Sequence, residues 1–281
     1  MKRIFYILLF SCYCATLWAQ QFPIQKPNDS SSIWQLAKYD AQSTVQGVGH
    51  AFTRPLHWQK DDIRKFTTFM IGTFALSLAD EPFNDFVLEH RDSYPGVARE
   101  IGWYFGSPQN YFMVNAGLYS VGLFTKNETI RKTSVLIISS SITSGLIQTI
   151  TKNAVGRARP SSGLDYDEFD PFSKEAAYHS FPSGHTILSV TMAHAIAKQF
   201  ENTWVKVGIY SLGSLAPLSR LVDGAHWLTD IAFGAALSIF VVDSIDKFLF
   251  QKGKYDYHLK PKKVSWNIKI SSNQIGLVGT F

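Results

Sequence analysis

Lys152-Asn-Ala-Val-Gly-Arg-Ala-Arg159-Pro160, Pro182-Ser183-Gly184-His185, and Ser219-Arg220 followed by His226 and Asp230 each stand at the end of an apolar stretch of helical character. That placement points to an all-α bundle that gathers the three pieces at one end. Together they offer three fixed cations, two histidines, a hydroxyl, a glycine turn and a carboxylate. Each part suits the handling of a tetrahedral phosphate, whose transition state spreads negative charge over its equatorial oxygens. Lys152, Arg159 and Arg220 can meet that charge, and the arginine fork matches phosphate geometry in a bidentate way. Ser183 can donate from its hydroxyl, and Gly184 lets the backbone approach an oxygen closely. A helix starting near His185 would add free N–H groups and the positive end of its dipole.

The two histidines suit different tasks. His226 and Asp230 are four residues apart, a spacing that puts them on one helix face. A carboxylate on one imidazole nitrogen fixes the tautomer and leaves the other nitrogen as a nucleophile. His185 has no such local carboxylate and suits the general acid, then the general base that activates water. The pair implies hydrolysis in two steps through a phosphohistidine. Three cations already neutralise the phosphate, so no metal and no cofactor is expected.

The pattern K-x6-R-P, P-S-G-H, S-R-x5-H-x3-D resembles the three-part signature of the type 2 phosphatidic acid phosphatase (PAP2) and haloperoxidase superfamily, and all three parts match. The signature covers residues 152–230, and the apolar stretches extend the resemblance to roughly 61–250. The resemblance implies that His226 is the nucleophile, that Asp230 orients it, and that His185 is the acid and base. It also implies that Lys152, Arg159, Ser183, Gly184 and Arg220 bind the phosphate. The superfamily holds lipid phosphatases, bacterial non-specific acid phosphatases and vanadium haloperoxidases, so the signature fixes a site better than a substrate.

Six apolar stretches follow Asp61, at roughly 62–80, 110–125, 130–151, 185–200, 204–219 and 226–248. They predict a six-helix bundle over residues 61–250. A membrane span needs about 20 mostly apolar residues. Phe66–Ala79 and Tyr111–Phe124 are shorter than that, and serines and threonines dilute Thr133–Ile150. The stretches themselves read as a soluble or peripheral bundle, whereas the family resemblance implies membrane association, which is the reading favoured for the enzyme. Both keep phosphate esters as partners: a phosphorylated lipid, or a small ester for a soluble periplasmic acid phosphatase.

The first 19 residues read as an export signal, with Lys2-Arg3 ahead of an apolar core and a cleavage point near Ala19. Export puts the site on the periplasmic or extracytoplasmic side. Cys12 and Cys14, the chain's two cysteines, both fall inside that segment, so neither disulfide nor thiol chemistry is expected of the mature chain. Its 25 Lys and Arg against 22 Asp and Glu leave a net charge of +3, reduced from +5 by loss of Lys2 and Arg3. There is no basic run with interleaved aromatics, which argues against nucleic acid. Residues 20–60 read as a linker followed by a short packing segment.

The stretch 161–180 is acidic and aromatic and reads as a loop over the end of the bundle. Asp165, Asp167 and Asp170 lack the glycine and later glutamate of a calcium loop. In the tail, 251–281, Val264, Trp266, Ile268 and Ile270 alternate with polar residues, which predicts a strand and a small hairpin.

Overall fold

The computed structural model describes residue 27, residues 30–251, Tyr255, and the strand residues 265–271 and 274–280. The expected export signal, its cleavage point and both cysteines lie outside the described residues. The chain forms α1 (Ile33–Thr53), α2 (Lys60–Ser77), α3 (Asp80–Glu89), α4 (Gly96–Gly106) and α5 (Pro108–Phe124). It continues with α6 (Glu128–Val155), α7 (Gly184–Ala197), α8 (Thr203–Val222) and α9 (Leu228–Asp246).

The architecture is all-α, as the apolar pattern and the resemblance indicated. Helices α2, α5, α6, α7, α8 and α9 fall on the six apolar stretches. Helices α1, α3 and α4 were not anticipated. Residues 33–53 in particular form a helix of 21 residues rather than a short packing segment. Ser32 starts it: its hydroxyl accepts from Gln35 N at 3.2 Å, and its N–H donates to Gln35 Oε1 at 2.7 Å, a reciprocal cap.

Local sequence sets most of the other helix ends. Ser107 caps α5 with Pro108 in the first turn, Asn127 caps α6, and Asn202 caps α8. Gly156 ends α6 with φ +59°, in the left-handed region.

Helices α6, α7 and α9 pack on one another at the centre of the bundle, with α1, α5 and α8 around them. Their shared core holds Val135, Leu136, Ile137, Leu188, Met192, Val242 and Ile245. The hydroxyls that dilute α6 are buried in this core rather than wetted. Ser139, Ser141 and Thr143 donate back to the carbonyls of Val135, Ile137 and Ser139 at 2.6, 2.7 and 2.9 Å. Small buried residues let the neighbouring helices come close.

At the far side of the bundle Asp40 of α1 takes a bidentate grip from Arg131 of α6, at 2.8 and 2.7 Å. Tyr119 also donates to Asp40 at 2.9 Å, and so does the Tyr255 hydroxyl. In the tail, β1 (Ser265–Ser271) and β2 (Gln274–Thr280) pair antiparallel, with Ser265 opposite Thr280 and Ile270 opposite Ile275.

Candidate active site

The ends of four helices and the segment after α6 bring six of the eight candidate residues to one cavity of about 540 Å³. Lys152 projects from the last turn of α6, and Arg159 from the extended segment just after it. Gly184 and His185 open α7, Arg220 stands in the last turn of α8, and His226 precedes α9. All six line the cavity. Ser183 and Asp230 do not. Ser183 is fully buried beneath the wall, where its hydroxyl caps α7 by accepting from Thr186 N at 3.5 Å and Thr186 Oγ1 at 3.0 Å. Asp230 lies behind His226.

The backbone of the 161–180 loop fixes two of the cations. Lys152 Nζ donates to His179 O at 2.6 Å, and Arg159 Nη2 donates to the same carbonyl at 3.1 Å. Arg159 also reaches Ala176 O and Ala225 O, at 3.1 and 3.3 Å. Thus the loop that reads as a solvated connection is part of the site's frame. It returns along the first signature segment, with Ala158 N donating to Glu168 O at 3.0 Å and Asp170 N to Gly156 O at 2.7 Å. A Cβ on Gly156 would lie 1.9 Å from Asp170 O, which explains why only glycine fits there. Arg220 donates to Asp223 at 2.7 Å, and Arg99 of α4 reaches the same carboxylate at 3.2 Å.

His226 is 4% exposed, and its Nδ1 faces Asp230 Oδ2 at 3.6 Å. That is longer than a hydrogen bond, as resting geometry between catalytic partners often is. The same Asp230 oxygen accepts from Ser180 Oγ at 2.5 Å and from Trp227 N at 2.9 Å. One carboxylate therefore caps α9 and faces the imidazole. Trp227 does not touch the cavity: its indole N–H donates to Ala158 O at 2.8 Å and so ties the start of α9 to the first signature segment. Burial, aided by the charges of Lys152 and Arg159 and opposed by Asp230, brings His226 down from 6.5 to about 4.

His185 Nε2 is buried and has no hydrogen-bond partner among the described residues. Burial and then the Arg220 charge bring His185 from 6.5 to about 4 as well. Burial and the neighbouring cations thus favour the neutral form of both imidazoles. An arriving phosphate would cancel the cationic repulsion and favour a proton on His185.

Sequence reading missed four contributors. Arg157 is buried behind Asp230 and donates to its Oδ1 at 2.9 Å. Ser180 holds the other oxygen, and Asp80 of α3 holds Arg157 at 2.7 Å. Gly106 ends α4 against the His185 ring, where a Cβ would lie 2.7 Å from Cδ2. Arg157 carried a signal, being a second arginine inside the first signature segment. Asp80 and Gly106 carried none, since an acid in a first helical turn and a glycine at a helix end are ordinary.

Away from the cations the cavity is lined by residues of α5, α6 and α7, among them Gly145 and the side chains of Phe112, Ile142, Leu146 and Leu188. Its wall there is apolar, and Phe112 and Leu146 are about half exposed at 51% and 48%.

Residues 133–251 match the model of the PAP2 superfamily. It is similar to a lipid A 1-phosphatase of Rhizobium etli, 34% identical over 102 residues that cover 36% of this chain and 43% of the relative. A lipid A 1-phosphatase of Rhizobium johnstonii is 36% identical over 102 residues, covering 34% and 41%. A lipid A 4'-phosphatase of Porphyromonas gingivalis is 27% identical over 141 residues, covering 47% and 59%. The chain thus matches less than half the length of the two 1-phosphatases. No solved structure matches it at a significant level.

Proposed function

We propose that the chain is a metal-independent phosphohydrolase that removes a phosphate from a lipid phosphate or diphosphate through a phosphohistidine. One observation carries this reading: His226 and His185 line the same cavity as Lys152, Arg159 and Arg220, with Asp230 directly behind His226. The three cations grip the phosphate oxygens, and the first turn of α7 at Gly184 adds its dipole. Nε2 of His226, the nitrogen turned away from Asp230, attacks phosphorus. A P–N bond forms, the P–O bond to the leaving group breaks, and His185 gives its proton to the leaving oxygen. Water then attacks the phosphohistidine, His185 takes the water's proton, the P–N bond breaks, and inorganic phosphate leaves. Asp230 offsets the positive charge that the His226 ring gains in the first step and gives up in the second.

A lipid suits the cavity better than a small ester. The apolar wall formed by Phe112, Ile142, Leu146 and Leu188 lies where the tail of a lipid phosphate would rest. The relatives are named for lipid A phosphates, which makes a lipid A-type phosphate the first substrate to try, ahead of phosphatidic acid and isoprenoid diphosphates. Membrane association follows from the same reading. The helical segments Glu128–Val155 and Leu228–Phe250 are long and apolar enough to cross a membrane, with mean hydropathies of 1.4 and 1.7 over an 18-residue stretch of each. We place the phosphatase domain at residues 61–250, braced by α1, and the site on the extracytoplasmic side of an exported chain.

Brief reaction with a phosphate ester labelled on phosphorus tests the mechanism. Label on the protein should be stable to alkali and labile to acid, and it should vanish in His226→Ala. Label that persists in His226→Ala would refute the phosphohistidine.

A further inference from the structure

Behind the histidine pair lies a buried ionic chain that crosses from α9 to α3. Arg157 spends its whole guanidinium on it. Nη1 donates to Thr229 Oγ1 at 2.7 Å and to Asp230 Oδ1 at 2.9 Å. Nη2 donates to Asp80 Oδ2 at 2.7 Å, and both Nη2 and Nε donate to Tyr166 O at 2.7 and 2.9 Å. Asp80 in turn accepts from Thr229 N at 2.8 Å and from the Thr229 hydroxyl. Asp80 and Asp230 are fully buried, and Thr229 and Arg157 nearly so. Asp80 stands 53 residues before the matched segment begins at 133, so the superfamily match does not include it.

The charges explain what the chain is for. Arg157 alone would neutralise Asp230, and a neutralised Asp230 has little to offer a ring that turns positive during reaction. Asp80 supplies a second carboxylate. Two carboxylates and one guanidinium leave one net negative charge, and His226 is the group beside it that can take up positive charge. Geometry works in the same direction. Asp80 fixes Thr229 and Arg157, which fix Asp230 Oδ1, while Ser180 and Trp227 N fix Oδ2. Orientation of a reacting side chain through such outer partners typically carries about 10–100-fold of function.

We propose that Asp80 is a positioning residue for the nucleophile: it holds the Arg157–Thr229 clamp on Asp230 and balances the Arg157 charge, so that the Asp230 carboxylate remains available to His226. The proposal rests on the assignment of His226 as nucleophile. It predicts that charge balance in the chain, and not the Asp80 carboxylate as such, is what His226 needs.

The test measures binding of two anions to purified full-length protein by calorimetry, beside turnover of phosphatidic acid in detergent. Inorganic phosphate needs only the cations. Orthovanadate needs in addition a bond from His226 to complete its five-coordinate form. Asp80→Asn should weaken orthovanadate by about tenfold or more and leave inorganic phosphate within about twofold; kcat should fall with KM little changed. Asp80→Asn/Arg157→Gln restores the net charge and should recover at least about a third of the lost orthovanadate affinity and kcat on a logarithmic scale. If Asp80→Asn alone does not fold, the double variant carries the test, because replacing a buried ion pair by neutral groups is tolerated better than removing one partner. Its orthovanadate affinity should then lie within about tenfold of the wild type. Equal loss of both anions, no loss of either, or a double variant no better than Asp80→Asn would overturn the proposal. Orthovanadate binding without any phosphate release by the wild type would sink the hydrolase reading, and with it the nucleophile that Asp80 would position.

Discussion

His226 sits where three effects meet: burial, the Lys152 and Arg159 charges, and an Asp230 contact at 3.6 Å. The first two favour the neutral imidazole and the third gives it direction. His226→Ala should abolish turnover while the thermal midpoint stays close to that of the wild type, and normal turnover would refute the nucleophile. Gly106→Ala should push the His185 ring, because the new Cβ would lie 2.7 Å from Cδ2. Turnover should fall by about tenfold or more, since small misplacements of reacting groups are costly. Unchanged turnover would show that His185 has room to move. Acid should also unfold the free protein. Both imidazoles titrate near 6.5 when unfolded and near 4 in the fold. Between those values the unfolded chain binds more protons, so stability falls as pH drops from about 6.5 to about 4. A thermal midpoint that rose over that range would contradict these environments. At this scale the sequence was most readable for the cations and histidines that line the cavity, because such residues are rare at the ends of apolar helices. It was least readable for Asp80, Ser180 and Gly106, which act through another side chain and carry no mark of it.

Among the elements, the apolar stretches foretold α2 and α5 through α9, and caps such as Ser107-Pro108 and Ser183 set where they begin. Helix α4 was hidden by Gly96, Gly102 and Gly106, poor helix formers. Gly102 is there for packing: a Cβ would lie 2.3 Å from Leu215 O of α8. Helix α1 was hidden because its inward face carries Asp40, whose partner Arg131 lies 91 residues away. Asp40→Ala should cost about 3–5 kcal/mol, since it leaves the buried Arg131 guanidinium without that carboxylate. Denaturant unfolding measures this, and a loss below about 1 kcal/mol would mean that α1 is only loosely tied. Gly156→Ala should hurt the site as well as the fold, because it combines a positive φ with a 1.9 Å clash at the loop that holds Lys152 and Arg159. Its loss of phosphate affinity should exceed that of Gly145→Ala, where a Cβ meets nothing within 4 Å.

Across the whole molecule, large apolar side chains stand exposed on α2 (Phe66, Phe74), α5 (Phe112, Phe124) and α8 (Trp204, Leu212). So much outward apolar surface fits a lipid environment better than water. The length of each apolar stretch did not show this, because the serines of α6 turn inward and the phenylalanines of α2 and α5 turn outward. Carbonate washing should leave the protein with the membrane pellet, and release into the supernatant would contradict membrane association by these helices. The central claim is hydrolysis of a lipid phosphate at His226. Phosphate release by purified protein in detergent, without added metal, tests it most directly. Lipid A, phosphatidic acid, an isoprenoid diphosphate and p-nitrophenyl phosphate form the panel, and His226→Ala is the control. Release from at least one lipid well above that from p-nitrophenyl phosphate, and absent in His226→Ala, is the predicted result. Release from the small ester alone, or equal release by His226→Ala, would contradict it.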